Sequence, residues 1–566
     1  MNAALLNALS AAISDNPIHV LQLRKVVVAL AMSGRLDQTE GSIGRDEILA
    51  LLDDVKRRLI AQRFIAKQKP VVAISNEQLP EDFSDPSKFI SLGQVARVEK
   101  GKTGIQQAKA GHYPLVVTAS ERLSADHFDF DTAAAIIPLV SSTGHGNASI
   151  NRLHYQEGRF ALGTILAAVL PHEPALFSAR FLFEYLSAFK DELLVSRMSG
   201  TANVTLTLGR IEEVPIPLVP PAIQRQVDQL MALCDELEAA RTEREAKRDR
   251  LTAASLARLH TPDPETFRDD ARFALDALPA LTARPDQIKQ LRQTVLNLAV
   301  RGKLVPQDPA DEPAEVLLKR VENKRSELLK AGYPNAGEAR TQLKKLTEQN
   351  VPDGLEVLPK GWAWATLQQC SLLVIDCKNK TAPYASSGIR LVRTTNVRNG
   401  QLNAYDQKYV SDETYRVWSA RCQPEPGDIL ITREAPMGEV CLIPNGETIC
   451  LGQRMMLARL VPETISNEFM LYSLRDPQLM DRVQDKPIGA TVQHLRVGGV
   501  ETLLVPLPPI AEQHRIVAKV DELMALCDQL ETSLTSADEA RKKLLDALLA
   551  EALTPVDVEV LQEAAE

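Results

Sequence analysis

Side chains that donate and accept hydrogen bonds are concentrated in two polar stretches of the chain. The first stretch contains Thr143, His145, Asn147, Asn151, Arg152 and His154, followed by Asn203 and Thr205. The second contains Arg393, Thr394, Thr395, Asn396 and Arg398, followed by Gln453, Arg454, Gln493 and His494. Arginine can pair with guanine, and asparagine or glutamine with adenine, through two hydrogen bonds each. Both clusters are therefore candidates for base contacts, while a solvated loop is the alternative for each single residue.

The sequence contains no recognisable catalytic motif. It lacks the GxxxxGK(S/T) phosphate loop and the GxGxxG, HExxH and GxSxG patterns. The segment PDGLEVLPK at Pro352 faintly resembles a nuclease cluster, but a turn explains it better. The nine histidines are dispersed without the spacing of metal ligands. This pattern predicts a protein that recognises something and leaves the chemistry to partners.

Composition is that of a large globular protein. The 566 residues are sufficient for three or four domains. The net charge of -9 disfavours a nucleic-acid binder when the chain is taken as a whole. Seven cysteines without a CxxC pair argue against disulfides and structural zinc. No long apolar run and no basic amino-terminal signal are present, so we expect a cytoplasmic, reduced protein without membrane contact.

One helical segment is written twice. VDQLMALCDELEAA begins at Val227 and VDELMALCDQLETS begins at Val520, and the two segments share most of their residues. Apolar residues follow one heptad frame at Val520, Leu523, Cys527, Leu530, Leu534, Ala537, Leu544 and Leu548, and the first copy starts in the same frame at Val227, Leu230, Cys234 and Leu237. Each helix could reach roughly 30 residues, or about 45 Å. Because so narrow an apolar seam needs a partner, we expect each helix to pack against the other.

A second repeated segment precedes each long helix. LRKVVVALAMSGRL from Leu23 matches LRQTVLNLAVRGKL from Leu291, and Gly34 and Gly302 are expected to end these helices. Two variable inserts separate the repeated segments, Ile90–Val214 and Trp362–Val505, and both combine short β-rich runs with one helical patch. Thr261–Pro285 is predicted to be the linker between the halves. Basic and acidic residues nearly balance in each insert, so any positive groove must be local.

Three segments resemble the specificity subunit of type I restriction-modification systems. They are LPKGWAWATL at Leu358, GDILITREAPMG at Gly427 and PLPPIAEQHRIVAKVDELMALCDQLE at Pro506. The first copy departs from the last of these, because PPAIQRQVDQL is five residues shorter and lacks the glutamate. This difference leaves the start of the first long helix open.

The resemblance implies an α+β fold with two target recognition domains, two long antiparallel coiled-coil helices and an internal pseudo-twofold repeat. The implied division is an N-terminal helical region at 1–85, a first recognition domain at 86–219, a central spacer helix at 220–260, a linker with the repeated helical region at 261–357, a second recognition domain at 358–507, a C-terminal spacer helix at 508–554 and an acidic tail at 555–566.

The resemblance also implies partners and a division of labour. Each recognition domain would read one half of a split target in double-stranded DNA, and the helices would set the spacer between the halves. Two methyltransferase (modification) subunits would use S-adenosylmethionine, and restriction subunits would hydrolyse ATP with Mg²⁺, translocate and cut DNA. The chain itself would hold no cofactor and no catalytic residue. Two centres about 34 to 36 Å apart could reach one face of B-DNA, which suits helices of this length.

Two alternatives stay open at this point. One is a specificity subunit of a methylation-only or phage-defence complex without a nuclease. The other is a structural adaptor whose coiled coil displays two protein-binding modules. The polar clusters favour nucleic acid over the adaptor.

Overall fold

The computed structural model describes residues 17–34, 36, 43–65, 73–81, 83–143, 146–201, 204–260, 265–484 and 494–553. The chain forms two compact units. The first unit consists of residues 1–246 and 536–566, and the second of residues 247–535. Each unit therefore contains most of one long helix and the end of the other.

In its described residues, the first unit combines helices with ten strands. Its helices are α1 (Pro17–Met32), α2 (Arg45–Ala61), α3 (Leu92–Val95), α4 (Ala179–Ala188), α5 (Lys190–Leu193), α6 (Leu208–Glu212) and the beginning of α7 (Pro221–His260). Its strands are β1 (Phe89–Ser91), β2 (Ala96–Lys100), β3 (Tyr113–Val116), β4 (Leu123–Ala125), β5 (Phe130–Asp131), β6 (Ala134–Pro138), β7 (His154–Gln156), β8 (Arg159–Leu162), β9 (Leu166–Pro171) and β10 (Pro215–Pro217).

Strands β1 and β10 pair antiparallel and close the first α+β domain, residues 89–217. Inside it, one four-stranded sheet has the order β2-β9-β6-β7, with antiparallel neighbours. The other sheet has the order β4-β3-β8-β5, and its central pair β3 and β8 is parallel. The short apolar runs of the sequence thus become buried strands.

The second unit repeats this plan. Its helices are α8 (Phe267–Asp276), α9 (Leu278–Leu281), α10 (Pro285–Val300), α11 (Ala314–Lys330), α12 (Ala336–Thr347), α13 (Leu367–Cys370), α14 (Asp412–Trp418), α15 (Asn467–Leu474), α16 (Val497–Glu501) and most of α17 (Ile510–Leu553). Its strands are β11 (Ala363–Thr366), β12 (Ser371–Asp376), β13 (Ile389–Val392), β14 (Val397–Arg398), β15 (Gln401–Leu402), β16 (Lys408–Val410), β17 (Ile429–Thr432), β18 (Val440–Leu442), β19 (Ile449–Leu451), β20 (Met455–Leu460) and β21 (Leu504–Leu507).

Strands β11 and β21 pair antiparallel and close the second α+β domain, residues 363–507. Its four-stranded sheet has the order β12-β20-β17-β18, and a second sheet has the order β16-β13-β19 with β13 and β19 parallel. Among the described residues, these orders match those of the first domain except that β5 has no counterpart in the three-stranded sheet. The duplication read from the helices therefore extends into the inserts, although their sequences have diverged.

The two glycine stops are confirmed. Helix α1 ends at Met32 and α10 at Val300, and Gly34 and Gly302 follow with φ of 73° and 65°. This left-handed conformation favours glycine and ends a helix by redirecting the chain. At Gly302 the site is also crowded, because a Cβ would lie 2.7 Å from Pro359 Cγ.

The structure defines the start of the first long helix, which the sequence left open. Helix α7 begins at Pro221 and α17 at Ile510. Gln224 and Gln513 are equivalent residues near these starts. Gln224 accepts a hydrogen bond from the backbone N–H of Ser178, which caps α4, and Gln513 accepts one from Ser466, which caps α15. Val227 follows Gln224 more closely than Val520 follows Gln513. The second copy thus holds about one extra helical turn between the two positions.

The prediction of a buried heptad seam is confirmed at the beginning of the long helices and wrong further along them. Val227, Cys234, Val520 and Cys527 are buried, as predicted. Leu237 and Leu544, predicted on the seam, are 45% and 44% exposed, and Leu545 is buried instead of Leu544. Because a straight helix drifts relative to a strict heptad, and Arg541 already interrupts the frame, the buried face shifts along the helix.

The stretch predicted as a linker is helical. Residues 261–264 lie outside the described residues, but α8 and α9 occupy most of the rest. Leu256 and Leu259 at the end of α7 pack with Ala274 and Leu281 in a small apolar cluster. Several prolines hid this helical spacing in the sequence, since each one interrupts the apolar pattern.

Candidate nucleic-acid interface

Two loops of the first domain meet at one end of its sheets. Backbone hydrogen bonds join Leu206 N to Leu139 O (2.9 Å) and Ser141 N to Val204 O (3.0 Å). Leu139 N in turn donates to Ile165 O in the β8–β9 turn (2.9 Å). We call the side chains presented by these connections the first tip; they are Val140, Thr143, Asn147, Ile165 and Thr205.

The second domain builds its end with the same backbone bonds. Arg433 N donates to Arg454 O (3.0 Å), and Leu495 N donates to Arg433 O (2.9 Å). Arg433 Nε also donates to Leu495 O, which fastens the two loops through a side chain. We call the side chains presented here the second tip; they are Arg433, Glu434, Gln453, Arg454 and His494.

The structure separates the candidates of the first insert into exposed and buried residues. Thr143, Asn147, Asn151 and Arg152 are exposed, and Thr205 is half-buried in the bridge to Val140. His145 and Asn203 lie outside the described residues. The loops that the sequence singled out therefore do come together, because 139–151 and 204–206 are joined by backbone hydrogen bonds.

His154 does not fit the prediction of a base contact. It lies on β7 and is 4% exposed, with Nδ1 at 3.2 Å from an Arg122 amino group. Burial, together with the charges of Arg122 and Arg152, lowers the pKa of His154 to about 4. The imidazole is thus neutral near pH 7 and supports the sheet edge.

Most of the Arg393–Arg398 cluster also builds its own loop. Asn396 is 1% exposed; its amide donates to Tyr405 O (2.8 Å) and accepts from Arg393 N (3.0 Å). Arg398 donates to the carbonyls of Thr394 and Val397, and Thr394 and Thr395 are half-buried in a 3₁₀ turn. The Asn396 amide and an amino group of Arg398, which the sequence offered as readers, therefore bond within the chain instead. A dense run of Arg, Thr and Asn is also what a tight turn requires.

Arg393 lies beside the second tip. Its guanidinium pairs with Asp406 at 2.9 Å. A Cβ on Gly452 would lie 3.1 Å from Arg393 Cγ, so Arg393 is adjacent to the turn that carries Gln453 and Arg454. The parallel strands β13 and β19 explain this proximity, since both turns leave the carboxyl end of that pair.

The remaining candidates of the second insert have different surroundings. Gln453 is half-buried and accepts a hydrogen bond from Thr381 Oγ1 (3.2 Å). Arg454 is exposed and its Nε contacts Glu434 Oε1 at 2.5 Å. His494 is half-buried beside Leu495, and Gln493 lies outside the described residues. The sequence missed Arg433 and Glu434; a charged pair directly after the buried strand β17 was the available signal.

Three side chains in the first domain are spaced like the nucleophile, base and acid of a hydrolase triad. His127 Nε2 lies 2.9 Å from Thr103 Oγ1, and His127 Nδ1 lies 2.9 Å from Asp126 Oδ1. However, Thr103 is 5% exposed, and its hydroxyl donates to Asp129 Oδ2 (3.0 Å). A buried hydroxyl that is already committed to a carboxylate is not an accessible nucleophile. The group stabilises the turn instead.

The described residues contain no cluster of three or more His, Cys, Asp or Glu side chains arranged to hold a metal ion. No described helix is both long and apolar enough to cross a membrane. All seven cysteines are free and buried, and burial raises the pKa of Cys234 to about 11. These thiols stay protonated at neutral pH and act as small apolar side chains.

Each unit fixes its long helix with the same arginine contact, which we call the helix clamp. In the first unit, Arg24 pairs with Asp235 (2.5 Å) and Glu238 (3.4 Å), and its guanidinium lies 3.8 Å from the sulfur of Met231. The second unit repeats the clamp, with Arg292 bound to Asp528 (2.6 Å), Glu531 (3.1 Å) and Met524 (3.8 Å). The repeated helices α1 and α10 are thus held on the long helices of their units by matching contacts.

Comparison with known proteins agrees with this organisation. A family model described as "Type I restriction modification DNA specificity domain" matches residues 84–246 and 377–537, more than half of the chain. The type I restriction enzyme EcoAI specificity subunit of Escherichia coli is 26% identical over 557 residues, covering 94% of this chain and 93% of that protein. The EcoEI specificity subunit of the same species is 25% identical over 572 residues, covering 94% of both.

Among solved structures, the HsdS subunit from Thermoanaerobacter tengcongensis overlaps 83% of this chain and 97% of its own, with 16% identity and a TM-score of 0.34. The repeated frame, the two α+β domains and their tips of different composition define a duplicated recognition protein. The chain belongs to the type I restriction modification DNA specificity family. Its task is accordingly DNA recognition and not catalysis.

Proposed function

We propose that each α+β domain reads one half of a bipartite target in double-stranded DNA, and that α7 and α17 set the number of unread base pairs between the halves. The observation that carries this proposal is the repeated helix clamp beneath two tips of different composition. A protein with two separate readers needs one frame that is the same in both halves and two surfaces that differ. The long helices would pair as an antiparallel coiled coil within a cytoplasmic complex.

The candidate readers follow from exposure at the tips. In the first domain they are Thr143, Asn147, Asn151, Arg152 and Thr205. His145 and Asn203, which lie outside the described residues, stay candidates from the sequence alone. In the second domain they are Arg393, Gln453, Arg454 and His494, and Gln493, outside the described residues, stays a candidate from the sequence alone. Asn396 and His154 are assigned to loop support because they are buried. Hydroxyl and amide groups suit hydrogen bonds to base edges, and arginine suits guanine.

The long helices also carry a candidate docking surface for partners. Leu233 and Leu526 occupy the same position of the repeated segment and are 51% and 47% exposed. An exposed leucine adds little to its own helix, so its presence in both copies favours contact with a partner. We place one modification subunit on each copy, with restriction subunits joining the complex; these partners would supply S-adenosylmethionine, ATP and Mg²⁺ chemistry.

Docking can be tested by co-purification with the modification subunit. We expect Leu233→Ala and Leu526→Ala each to weaken retention of one modification subunit, and the double variant to lose both. Leu544→Ala is the matched control, since this leucine is 44% exposed on α17 but outside the repeated segment. Equal retention for the double variant and the control would contradict this docking surface.

Recognition is tested by sequencing methylated adenines in DNA from cells that express the chain with its modification subunit. We expect one split sequence for the natural chain. Replacing Thr143 and Asn147 by alanine should relax one half of it, and replacing Gln453 and Arg454 should relax only the other half. A chain that assembles normally but directs no sequence-selective methylation would favour a protein-binding adaptor instead.

A further inference from the structure

Arg454 stands at an unusual place in the backbone. It follows Gln453 in the turn before β20 and has a φ of 69°. A non-glycine residue in the left-handed region is strained, and such residues are concentrated at functional sites. Neighbouring Ala435, on the loop that faces this turn, has a φ of 50°. Two strained residues therefore lie on the two connections that form the second tip.

The guanidinium of Arg454 is held at one edge and open at the other. Its Nε contacts Glu434 Oε1 at 2.5 Å, and the Arg454 side chain is 51% exposed whereas that of Glu434 is 20% exposed. Among the described residues, no acceptor pairs with its two terminal amino groups. The contact with Glu434 is made at Nε and not at the terminal amino groups, so the fork formed by these two amino groups keeps its donors for an outside acceptor.

The equivalent positions in the first domain lack this arrangement. Backbone bonding pairs Leu139 with Ile165 as it pairs Arg433 with Arg454, so Ile165 stands where Arg454 stands and Val140 where Glu434 stands. Both are apolar and 38% exposed. The common fold therefore does not require an arginine–glutamate pair at this place. The arginine–glutamate pair is therefore one of the features by which the second tip differs from the first.

We infer that Arg454 reads a guanine in the half-site of the second domain through its two terminal amino groups, with Glu434 as the positioning residue. This inference rests on the proposed function. The open fork matches guanine O6 and N7 in the major groove, a contact that adenine does not offer because it carries a donor in place of O6. A phosphate would also accept the fork, and the experiment separates the two.

The experiment uses the purified complex of the chain with its modification subunit and duplexes that contain its methylated sequence. Each guanine is replaced in turn by 7-deazaguanine, which lacks the N7 acceptor, and affinity is measured by competition. We expect one guanine of one half-site at which this change weakens binding roughly 10-fold, within the range for a bidentate base contact. Arg454→Ala should weaken binding to unmodified DNA similarly and show no further loss at that guanine.

Variants of the pair sharpen the result. Arg454→Lys keeps the charge but not the fork, so it should lose discrimination as Arg454→Ala does. Glu434→Gln should reduce the 7-deazaguanine effect without abolishing DNA binding. Glu463→Gly is the matched control, because Glu463 is also exposed, ion-paired and at positive φ (59°), but follows the other end of β20. It should leave discrimination unchanged.

Three outcomes would overturn the inference. The first is a half-site for the second domain without a G·C pair. The second is additive loss from Arg454→Ala and every 7-deazaguanine substitution. The third is equal weakening of all duplexes by Arg454→Ala with recovery in Arg454→Lys, which assigns a phosphate contact. If the natural complex shows no sequence preference at all, the proposed function itself fails, and that result is distinct from the other three.

Discussion

The two units hold their long helices with equivalent residues of the same type, but they present different side chains at their tips. Arg24 and Arg292 form matching clamps on α7 and α17. At the tips, an exposed Val140 and Ile165 in the first domain correspond to Glu434 and Arg454 in the second. The comparison shows that the contacts within the frame are the same in both units whereas the side chains at the tips differ, which is what the proposed function requires of two separate readers.

The interiors differ as well. In the first domain, Ala134 on β6 and Leu170 on β9 are buried apolar residues. The strand pairings place Asp428 and Arg459 at the equivalent positions of the second domain, where two hydrogen bonds of 2.7 Å join them. One sheet position thus tolerates either solution, provided that both partners change together.

The largest expected effect breaks this interior difference. Asp428→Ala removes both hydrogen bonds to the buried Arg459 guanidinium, which keeps only the exposed Glu425 as a carboxylate partner (3.0 Å), and should lower the free energy of unfolding by about 3 kcal/mol. Adding Arg459→Leu recreates the apolar pair of the first domain and should recover most of that loss. All three tryptophans, Trp362, Trp364 and Trp418, lie in the second unit, so fluorescence-detected denaturation reports on it directly. No recovery in the double variant would contradict the equivalence of the two sheets.

An intermediate effect should be the same in both units. Gln224 and Gln513 are buried, and each satisfies backbone groups around a helix cap. Replacing either by alanine leaves buried partners unsatisfied and should lower the stability of its own unit by about 2 to 3 kcal/mol. Hydrogen exchange near Ser178 and Ser466 measures the two effects separately. The exposed Gln229 and Gln529, on the same helices, are the controls; a strongly unequal result would break the proposed match.

The smallest effect concerns the first domain alone. The pKa of His154 falls from 6.5 in the unfolded chain to about 4 in the folded one, because the imidazole is buried near two arginines. The unfolded chain then binds more protons between these values, so stability is complete above about pH 6.5 and is lost as the pH falls toward 4. We expect a loss of about 1 to 2 kcal/mol at pH 5.

His154→Asn removes this titration. Exchange of the β6 amides, compared between the natural chain and the variant at each pH, cancels the intrinsic pH dependence of exchange. The difference between the two proteins should change with pH in the first domain and stay constant in the second. A difference that is flat in both domains would show that His154 is not held neutral.

The sequence alone predicted the frame better than the tips. Helical periodicity and the repeated segments located the long helices, and Gly34 and Gly302 marked two helix ends, because these signals are local. Arg433 and Glu434 were missed because only the pairing of β17, β20 and the loop at Leu495 brings them to the tip. Asn396 and His154 were predicted to contact bases but are buried, since burial depends on tertiary contacts that residue type does not reveal.

The central claim is that each α+β domain is an independent reader on a shared frame. A chain in which residues 363–507 are replaced by a second copy of residues 89–217 tests it most directly, with methylated adenines sequenced after expression with the modification subunit. Both halves of the methylated sequence should then be the half-site of the first domain. An unchanged second half in a complex that still methylates DNA would contradict the claim.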